Sequence, residues 1–388
     1  MIQLGIERLV ASPPPWLEGK KLALLCNQAS VTGDFVHSRE VVERTFPGKL
    51  VCLFSPQHGF FSEKQDNMVE SGHIQDSTGL PIYSLYGESR RPDPQLFQEF
   101  DVLLVDLIDV GTRVYTFVWT LIYCLEAAAE SGCKVVVLDR PNPVGGDIIE
   151  GNMLREQWCS FVGLHPIPMR HGLTLGELGL LCNKEMCIGA DLEVISMQGW
   201  RREMFFSDTG LPWVFPSPNM PSPATALVYP GQVIWEGTNV SEGRGTTLPF
   251  EIFGAPFWDL ACIKRELDKI LLPGCILRPL IFEPCFGKWA STPCQGYQIH
   301  VTDPKTFLSY RVSLAFLSIM LRYFRDDFAY KQPPYEYEYE RLPMDLILGD
   351  DRLRLALEAG EDVIKLETGW AQDLAEYDQR RHAVFLYE

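Results

Sequence analysis

Short, nearly continuous apolar runs alternate with helical patterns through the first half of the chain. The apolar runs are 21–26, 50–54, 81–85, 101–107 and 134–139. Segments that are apolar at successive positions indicate strands covered on both faces, as in a parallel sheet. The segments between them carry helical periodicity, which is clearest where an apolar stripe ends at a glycine. The alternation therefore predicts a doubly wound α/β domain.

The chain is long enough for two domains, since it has 388 residues of which 46% are hydrophobic. A proline-rich passage at 212–230 predicts irregular structure and a hinge. We therefore expect domains at 1–215 and 216–388, the second a smaller α/β (α+β) unit. The alternating run 335–340 predicts a strand with an acidic, solvated face.

Polar residues follow several of the predicted strands. In a doubly wound sheet the ligand site lies beyond the carboxyl ends of the strands, so these residues are expected to share one cleft. They are Asn27, Gln57, His58, Asp109, Arg113, Asp139, Arg140 and Asn142. Neither a Gly-x-Gly-x-x-Gly nor a phosphate-binding lysine loop occurs, so nucleotide binding would rest on fold alone.

A second candidate site is the glycine-punctuated run 236–251. Its glycines permit unusual backbone angles and would let a ligand approach the main chain, while its polar side chains offer donors and acceptors. A solvated loop is the simpler alternative. Arg244 between two glycines and two carboxylates favours recognition of a carboxylate or a polyhydroxylated ligand.

Charge and cysteine content restrict the partners and the compartment. A net charge of −17 disfavours nucleic acid and anionic membranes, which would be repelled. No apolar stretch approaches the roughly 18 residues of a membrane span. Eleven scattered cysteines without a Cys-x-x-Cys pair predict reduced thiols and a cytoplasmic protein. The spacing of the histidines does not indicate a metal site, and we expect no cofactor. The sequence leaves the oligomeric state open.

Carboxylates, arginine, asparagine and histidine around a cleft suit glycoside hydrolysis, in which a carboxylic acid protonates the leaving oxygen. Several longer motifs point the same way. They are SPQHGF at 55–60, DLIDVGTR at 106–113, VLDRPNP at 137–143, PMRHG at 168–172, PSPNMP at 216–221 and EGTNVSEGRGTT at 236–247. In these motifs the chain resembles the bacterial exo-β-N-acetylmuramidase family from about residue 4 onward.

The resemblance implies a Rossmann-like first domain, a smaller second domain and an active site between them. It also implies removal of terminal N-acetylmuramic acid from the non-reducing end of peptidoglycan fragments. The expected substrate contacts include three arginines that could bind the lactyl carboxylate of this sugar. The contacts are Asn27, Arg113, Asp139, Arg140, Asn142, His171, Asn219, Glu236, Asn239, Glu242 and Arg244.

Position 57 departs from the family pattern, which has glutamate there as the proposed catalytic acid. An amide has no proton to give near neutral pH, so either the acid has moved or the activity has changed. A non-catalytic muropeptide-binding protein or a glycosidase for another sugar are the alternatives. The first candidate for a moved acid is Glu63; the predicted catalytic set is Glu63, His58, Gln57 and Asp109. Weaker candidates are Asp66, Glu70, Glu236 and Glu242.

Overall fold

The computed structural model of the protein describes residues 2–65, 68–70, 74–75, 78–87 and 90–388. Its twelve described strands are β1 (Leu22–Cys26), β2 (Leu50–Ser55), β3 (Ile74–Gln75), β4 (Pro81–Ser84), β5 (Val102–Asp106), β6 (Lys134–Leu138), β7 (Glu150–Met153), β8 (Pro168–Arg170), β9 (Leu192–Ile195), β10 (Ile252–Ala255), β11 (Cys275–Phe282) and β12 (Cys294–Val301). The described α-helices are α1 (Gly5–Ala11), α2 (Ser38–Thr45), α3 (Phe117–Ser131), α4 (Leu175–Glu185), α5 (Phe206–Thr209), α6 (Pro223–Gln232), α7 (Leu260–Leu267), α8 (Ser309–Tyr323), α9 (Pro343–Leu348), α10 (Asp351–Glu358) and α11 (Val363–His382).

The first part of the chain forms a seven-stranded sheet in the order β3-β4-β2-β1-β5-β6-β9. Its strand pairs are parallel except for β3 with β4. The central strands β1 and β5 are buried at every position, because helices cover both faces of the sheet. This confirms the predicted α/β class with a doubly wound sheet.

The second part contains a three-stranded antiparallel sheet in the order β10-β12-β11. The aromatic side chains of Trp235, Phe253, Trp258 and Phe316 pack against one another beside it, with ring centroids 4.7–6.5 Å apart. Helices α6 and α8 cross next to this cluster. The mixture of strands and helices predicted for the second part is therefore present.

Two local predictions are wrong. The proline-rich passage contains helix α6, because Pro223 occupies the first helical turn, where a missing N–H costs nothing, and the helix also accommodates Pro230. The run 335–340 is a tight turn, because Tyr335 and Glu338 exchange backbone hydrogen bonds of 2.9 Å and the two residues between them are left-handed. The acidic side chain at the tip of this turn is buried, as described below.

Helix α6 meets helix α8 at a glycine that leaves no room for a side chain. A Cβ atom on Gly231 would lie 2.0 Å from the carbonyl oxygen of Ser309. We expect Gly231→Ala to lower the free energy of unfolding by about 3 kcal/mol, because two backbones would have to separate. Urea unfolding monitored by circular dichroism measures this change. Gly369→Ala is the matched control; its Cβ meets nothing within 4 Å, so it should stabilise helix α11 by about 0.5–1 kcal/mol. Equal effects of the two variants would contradict the tight crossing.

Candidate active site

A polar cavity lies between the carboxyl end of the parallel sheet and the second part of the chain. Its free interior is about 30 Å³, so the surrounding side chains nearly close it in this structure. The first part contributes Gln57 and His58 after strand β2 and the segment 114–117 at the start of helix α3. The second part contributes Glu236, Arg244 and Glu336. Most of the lining residues are buried, so the cavity is a closed recess rather than an open groove.

The loop 236–251 forms one wall of this cavity through an ion-pair chain. Arg244 donates to Glu236 at 2.6 Å and lies 3.4 Å from Glu242, which in turn contacts Lys288 at 2.7 Å. Glu236 also accepts a hydrogen bond of 2.8 Å from the hydroxyl of Tyr335. Burial alone would raise the pKa of Glu236, but the attraction of Arg244 outweighs it and the pKa lies below its usual value. Glu236 is therefore a buried, ionised carboxylate.

The glycines of this loop serve a different purpose from the predicted one. Gly243 and Gly245 both have φ of +80°. A Cβ atom on them would lie 2.4 Å from the carbonyl oxygen of Ile252 and 2.3 Å from that of Phe286. The glycines make room for the protein's own backbone, and this close packing fixes the position of Arg244 between them.

Glu336 is the second carboxylate of the cavity, and the sequence analysis missed it. It is 5% exposed. Its carboxylate accepts hydrogen bonds of 2.9 Å from the amide nitrogen of Gln57 and 2.8 Å from the hydroxyl of Tyr86. Burial raises the pKa of Glu336, and the hydrogen bonds from Tyr86 and Gln57 offset only part of that rise. The two carboxylates of the cavity therefore have pKa values shifted in opposite directions, which is the usual signature of an acid and its ionised partner.

Gln57 connects Glu336 to the first part of the chain. Its amide oxygen accepts a hydrogen bond of 2.5 Å from the hydroxyl of Thr116, while its amide nitrogen donates to Glu336. This arrangement fixes which way the amide is turned. Gln57 is thus a hydrogen-bond donor to a carboxylate at the place where the family resemblance predicts a carboxyl group.

His58 lines the cavity as a neutral group. It has a left-handed backbone with φ of +72°, and its Nδ1 lies 2.7 Å from the carbonyl oxygen of Lys64, which requires a proton on Nδ1. Burial lowers the pKa of His58 to about 4. The ring therefore presents an unprotonated Nε2 and is suited to accept a hydrogen bond from a ligand hydroxyl near neutral pH.

Of four further predicted site residues, one lines the cavity and three lie outside its wall. Asn219 lines the cavity and donates to the carbonyl oxygen of Gln65 at 3.2 Å. Asn239 instead fastens the segment 327–329 through hydrogen bonds of 2.8 and 3.0 Å. Glu242 bridges Arg244 and Lys288 behind the wall. Glu63 lies on the surface, with 47% of its side chain exposed and Lys64 beside it.

The structure does not bring the remaining predicted residues to the cavity, because each is bonded to other groups of the protein. Asn27 donates to the carbonyl oxygen of Pro216 at 2.9 Å. Arg140 pairs with Asp106 at 2.5 Å. Asn142 donates to the carbonyl oxygen of Leu173 at 2.9 Å. These buried side chains hold loops at the sheet edge, and we assign them structural roles.

Arg113 and Asp109 do not form the ion pair that their spacing suggests. Arg113 is fully buried and donates to four backbone carbonyls, two of them at Ile347 and Leu348 with distances of 2.8 and 2.9 Å. Asp109 instead accepts from Nε2 of His171 at 3.2 Å. Arg113 thus ties helix α9 to the first part, and neither Asp109 nor His171 lines the cavity.

Asp139 has a similar structural use. It accepts hydrogen bonds from Thr174 at 2.7 Å and from the hydroxyl of Tyr387 at 2.6 Å, which anchors the chain after helix α11 to the parallel sheet. Burial raises its pKa to about 6.

Asp66 lies outside the described residues. Glu70 accepts a hydrogen bond from Tyr337 at 3.2 Å and does not line the cavity.

Within the described residues, no cluster of three or more His, Cys, Asp or Glu side chains is placed to hold a metal ion. None of the helices described above is long and apolar enough to cross a membrane.

Known proteins are similar to this chain in the sequence of both its halves and in its fold. Residues 22–224 match the family described as exo-beta-N-acetylmuramidase NamZ, N-terminal, and residues 227–387 match its C-terminal counterpart. Peptidoglycan beta-N-acetylmuramidase NamZ of Bacillus subtilis is 39% identical over 386 residues, which span all of this chain and 91% of that protein.

Two crystal structures of DUF1343 family proteins from Bacteroides fragilis are also similar. One superposes with a TM-score of 0.89 at 31% identity, and the other with 0.77 at 28%; each comparison covers 100% of this chain and 99% of the other. The family thus matches both halves of the sequence, and the similar crystal structures cover the whole fold. The chain belongs to the exo-β-N-acetylmuramidase NamZ family.

Proposed function

We propose that the protein is a glycoside hydrolase that releases terminal N-acetylmuramic acid from the non-reducing end of peptidoglycan fragments. The observation that carries the proposal is one cavity holding two carboxylates of opposite character, the ionised Glu236 and the more easily protonated Glu336. Glycosidases use such a pair to protonate the leaving oxygen and to support attack at the anomeric carbon. The relative from Bacillus subtilis, named for this activity, supports the choice of sugar.

The shape of the cavity supports cleavage at a chain end. Most lining side chains are buried, so this recess suits the end of a glycan better than an internal segment. Of the three arginines predicted to bind the lactyl carboxylate, Arg244 alone lines the cavity. It is held between two carboxylates, so we expect neutral donors such as Asn219 to share in binding this group.

We further propose that the protein acts in the cytoplasm on fragments released by cell-wall turnover. All eleven cysteines are free thiols, and six of them are buried. Buried thiols without disulfides are typical of a reducing compartment. Small fragments of peptidoglycan are also the form in which the polymer could reach a recessed cavity.

The activity can be tested on a disaccharide with N-acetylmuramic acid at its non-reducing end and on the 4-nitrophenyl β-glycoside of the same sugar. We expect the purified protein to release free N-acetylmuramic acid from both, as measured by liquid chromatography and mass spectrometry. The matched β-N-acetylglucosaminide, which lacks the lactyl group, is the control and should be a poor substrate. Binding of free N-acetylmuramic acid without release from either substrate would contradict the enzyme and favour a sugar-binding protein.

A further inference from the structure

We propose that Glu336 supplies the catalytic proton in this chain, in place of the carboxyl group that position 57 lacks. This inference rests on the proposed function. Its first support is contact: the Glu336 carboxylate lies in the cavity wall and is joined to the amide of Gln57 by a hydrogen bond of 2.9 Å. A proton donor at Glu336 is therefore one side chain away from the position at which the family resemblance places the acid.

The backbone at Glu336 is held in an unusual conformation. Glu336 and Tyr337 have φ values of +50° and +59°, in the left-handed region that side chains disfavour. Such conformations are unfavourable and persist where the surroundings impose them, often at functional sites. Here the conformation directs the Glu336 side chain into the protein, while the neighbouring Glu340 is exposed.

Arg90 holds this turn from outside the cavity. Its guanidinium donates to the backbone carbonyl of Glu336 and lies 4.2 Å from the ring centre of Phe161 and 4.9 Å from that of Tyr337. A cation between two aromatic faces is a well-defined anchor. Because Arg90 bonds the backbone of Glu336 and not its carboxylate, it fixes the turn without a direct ion pair to the acid.

The hydrogen-bond partners of Glu336 are both donors, so they stabilise the carboxylate that remains after Glu336 has given up its proton. In the reaction, the carboxyl proton passes to the glycosidic oxygen and the bond from that oxygen to the anomeric carbon breaks, with its electron pair staying on the oxygen. Water then adds to the anomeric carbon, and the proton that it loses returns to Glu336, so that hydrolysis consumes one water and restores the acid. The carboxylate left at Glu336 accepts the hydrogen bonds from Gln57 and Tyr86. An amide at position 57 thus stabilises the product form of the acid, whereas a second carboxylate would repel it.

The assignment is tested by the dependence on the leaving group. A sugar alkoxide needs a proton to leave, whereas nitrophenolate leaves without one. We expect Glu336→Gln to lower kcat/KM about 100-fold on the disaccharide and much less on the 4-nitrophenyl glycoside. Glu340→Gln, the same chemical change at an exposed position of the same segment, should leave both rates unchanged.

A double variant exchanges the two groups. Gln57→Glu with Glu336→Gln keeps one amide and one carboxyl in the same contact and moves the acid to position 57. We expect it to recover much of the disaccharide activity lost in Glu336→Gln, and thermal melting of both variants checks that they fold. If the single variant does not fold, the double variant alone carries the test, and an inactive but folded double variant overturns the assignment.

Other outcomes separate the two proposals. The role of Glu336 is overturned if a folded Glu336→Gln variant cleaves the disaccharide at the wild-type rate. It is also overturned if that variant loses activity on both substrates equally. If Glu63→Gln selectively lost activity on the disaccharide, that result would also overturn the role of Glu336. It would favour Glu63, on the surface, as the acid. Failure of the wild-type protein to cleave either substrate overturns the proposed function itself.

Discussion

Replacing Glu236 by glutamine is expected to lower kcat about 100- to 1,000-fold while leaving the protein folded. Glu236 is the ionised carboxylate of the cavity, and we propose that it stabilises positive charge at the anomeric carbon or activates the attacking water. An amide of the same shape removes that charge. Unlike Glu336→Gln, this variant should lose activity on the nitrophenyl glycoside and the disaccharide alike, because both pass through a charged anomeric carbon.

The pH dependence follows from the same two carboxylates. Glu236, with a lowered pKa, must be ionised, so activity falls as pH drops through that pKa. Glu336, with a raised pKa, must be protonated, so activity falls as pH rises through that pKa. The Glu236→Gln variant should keep the loss at high pH and lack the loss at low pH, which steady-state rates across the pH range measure.

Glu242→Gln is the matched comparison for Glu236. It removes a carboxylate from the same loop that also faces Arg244 but lies outside the cavity wall. We expect it to lower stability, because Lys288 loses its partner, with a much smaller change in kcat. An equal loss of kcat in the two variants would mean that the ion-pair chain as a whole, rather than Glu236, determines activity.

Replacing Asp106 by asparagine is expected to lower the free energy of unfolding by about 3–5 kcal/mol. Asp106 is fully buried and binds Arg140 through two hydrogen bonds of 2.5 and 2.8 Å and also accepts from Ser38. Removing one partner leaves the other charge buried without compensation, which costs far more than breaking an exposed pair. Urea unfolding followed by fluorescence measures the change.

An exposed pair in the same part of the chain provides the control. Glu40 and Arg44 lie 3.0 Å apart with 52% and 70% of their side chains exposed, so Glu40→Gln should cost less than about 1 kcal/mol. The Asp106 result also bears on the sequence-based prediction that Arg140 contacts the sugar. If the Asp106→Asn protein were stable but bound the sugar more weakly, that result would support the prediction that Arg140 contacts the sugar.

The fold was readable from sequence where burial alone determines the element. Strands β1, β2, β5 and β6 were predicted within one or two residues, because a strand covered on both faces is apolar throughout. Helix α4 begins with a capping box, in which the Thr174 side chain accepts from the backbone N–H of Glu177 and the Glu177 side chain accepts from that of Thr174. The passage around helix α6 was misread, because proline at a helix start leaves the same composition as an irregular hinge.

The site was less predictable, because its partners lie far apart in sequence. Gln57 was identified as the anomalous position, but the residue that it contacts, Glu336, is 279 positions away. An alternating polar and aromatic run fits a solvated strand as well as a tight turn, and nothing in its pattern indicates burial of one glutamate. The position of polar residues after strands predicts ligand contacts, yet Asn27, Arg113 and Arg140 bind the protein's own carbonyls and carboxylates.

A crystal structure with a non-hydrolysable thioglycoside of N-acetylmuramic acid tests the central claim most directly. We predict that the sugar fills the cavity, with the Glu336 carboxyl about 3 Å from the bridging sulfur and Glu236 on the side of the anomeric carbon. The separation of the two carboxyl groups in that complex also decides between retention and inversion. A sugar bound outside the cavity, or a bridging sulfur that faces Glu63 or another acid instead of Glu336, would contradict the claim.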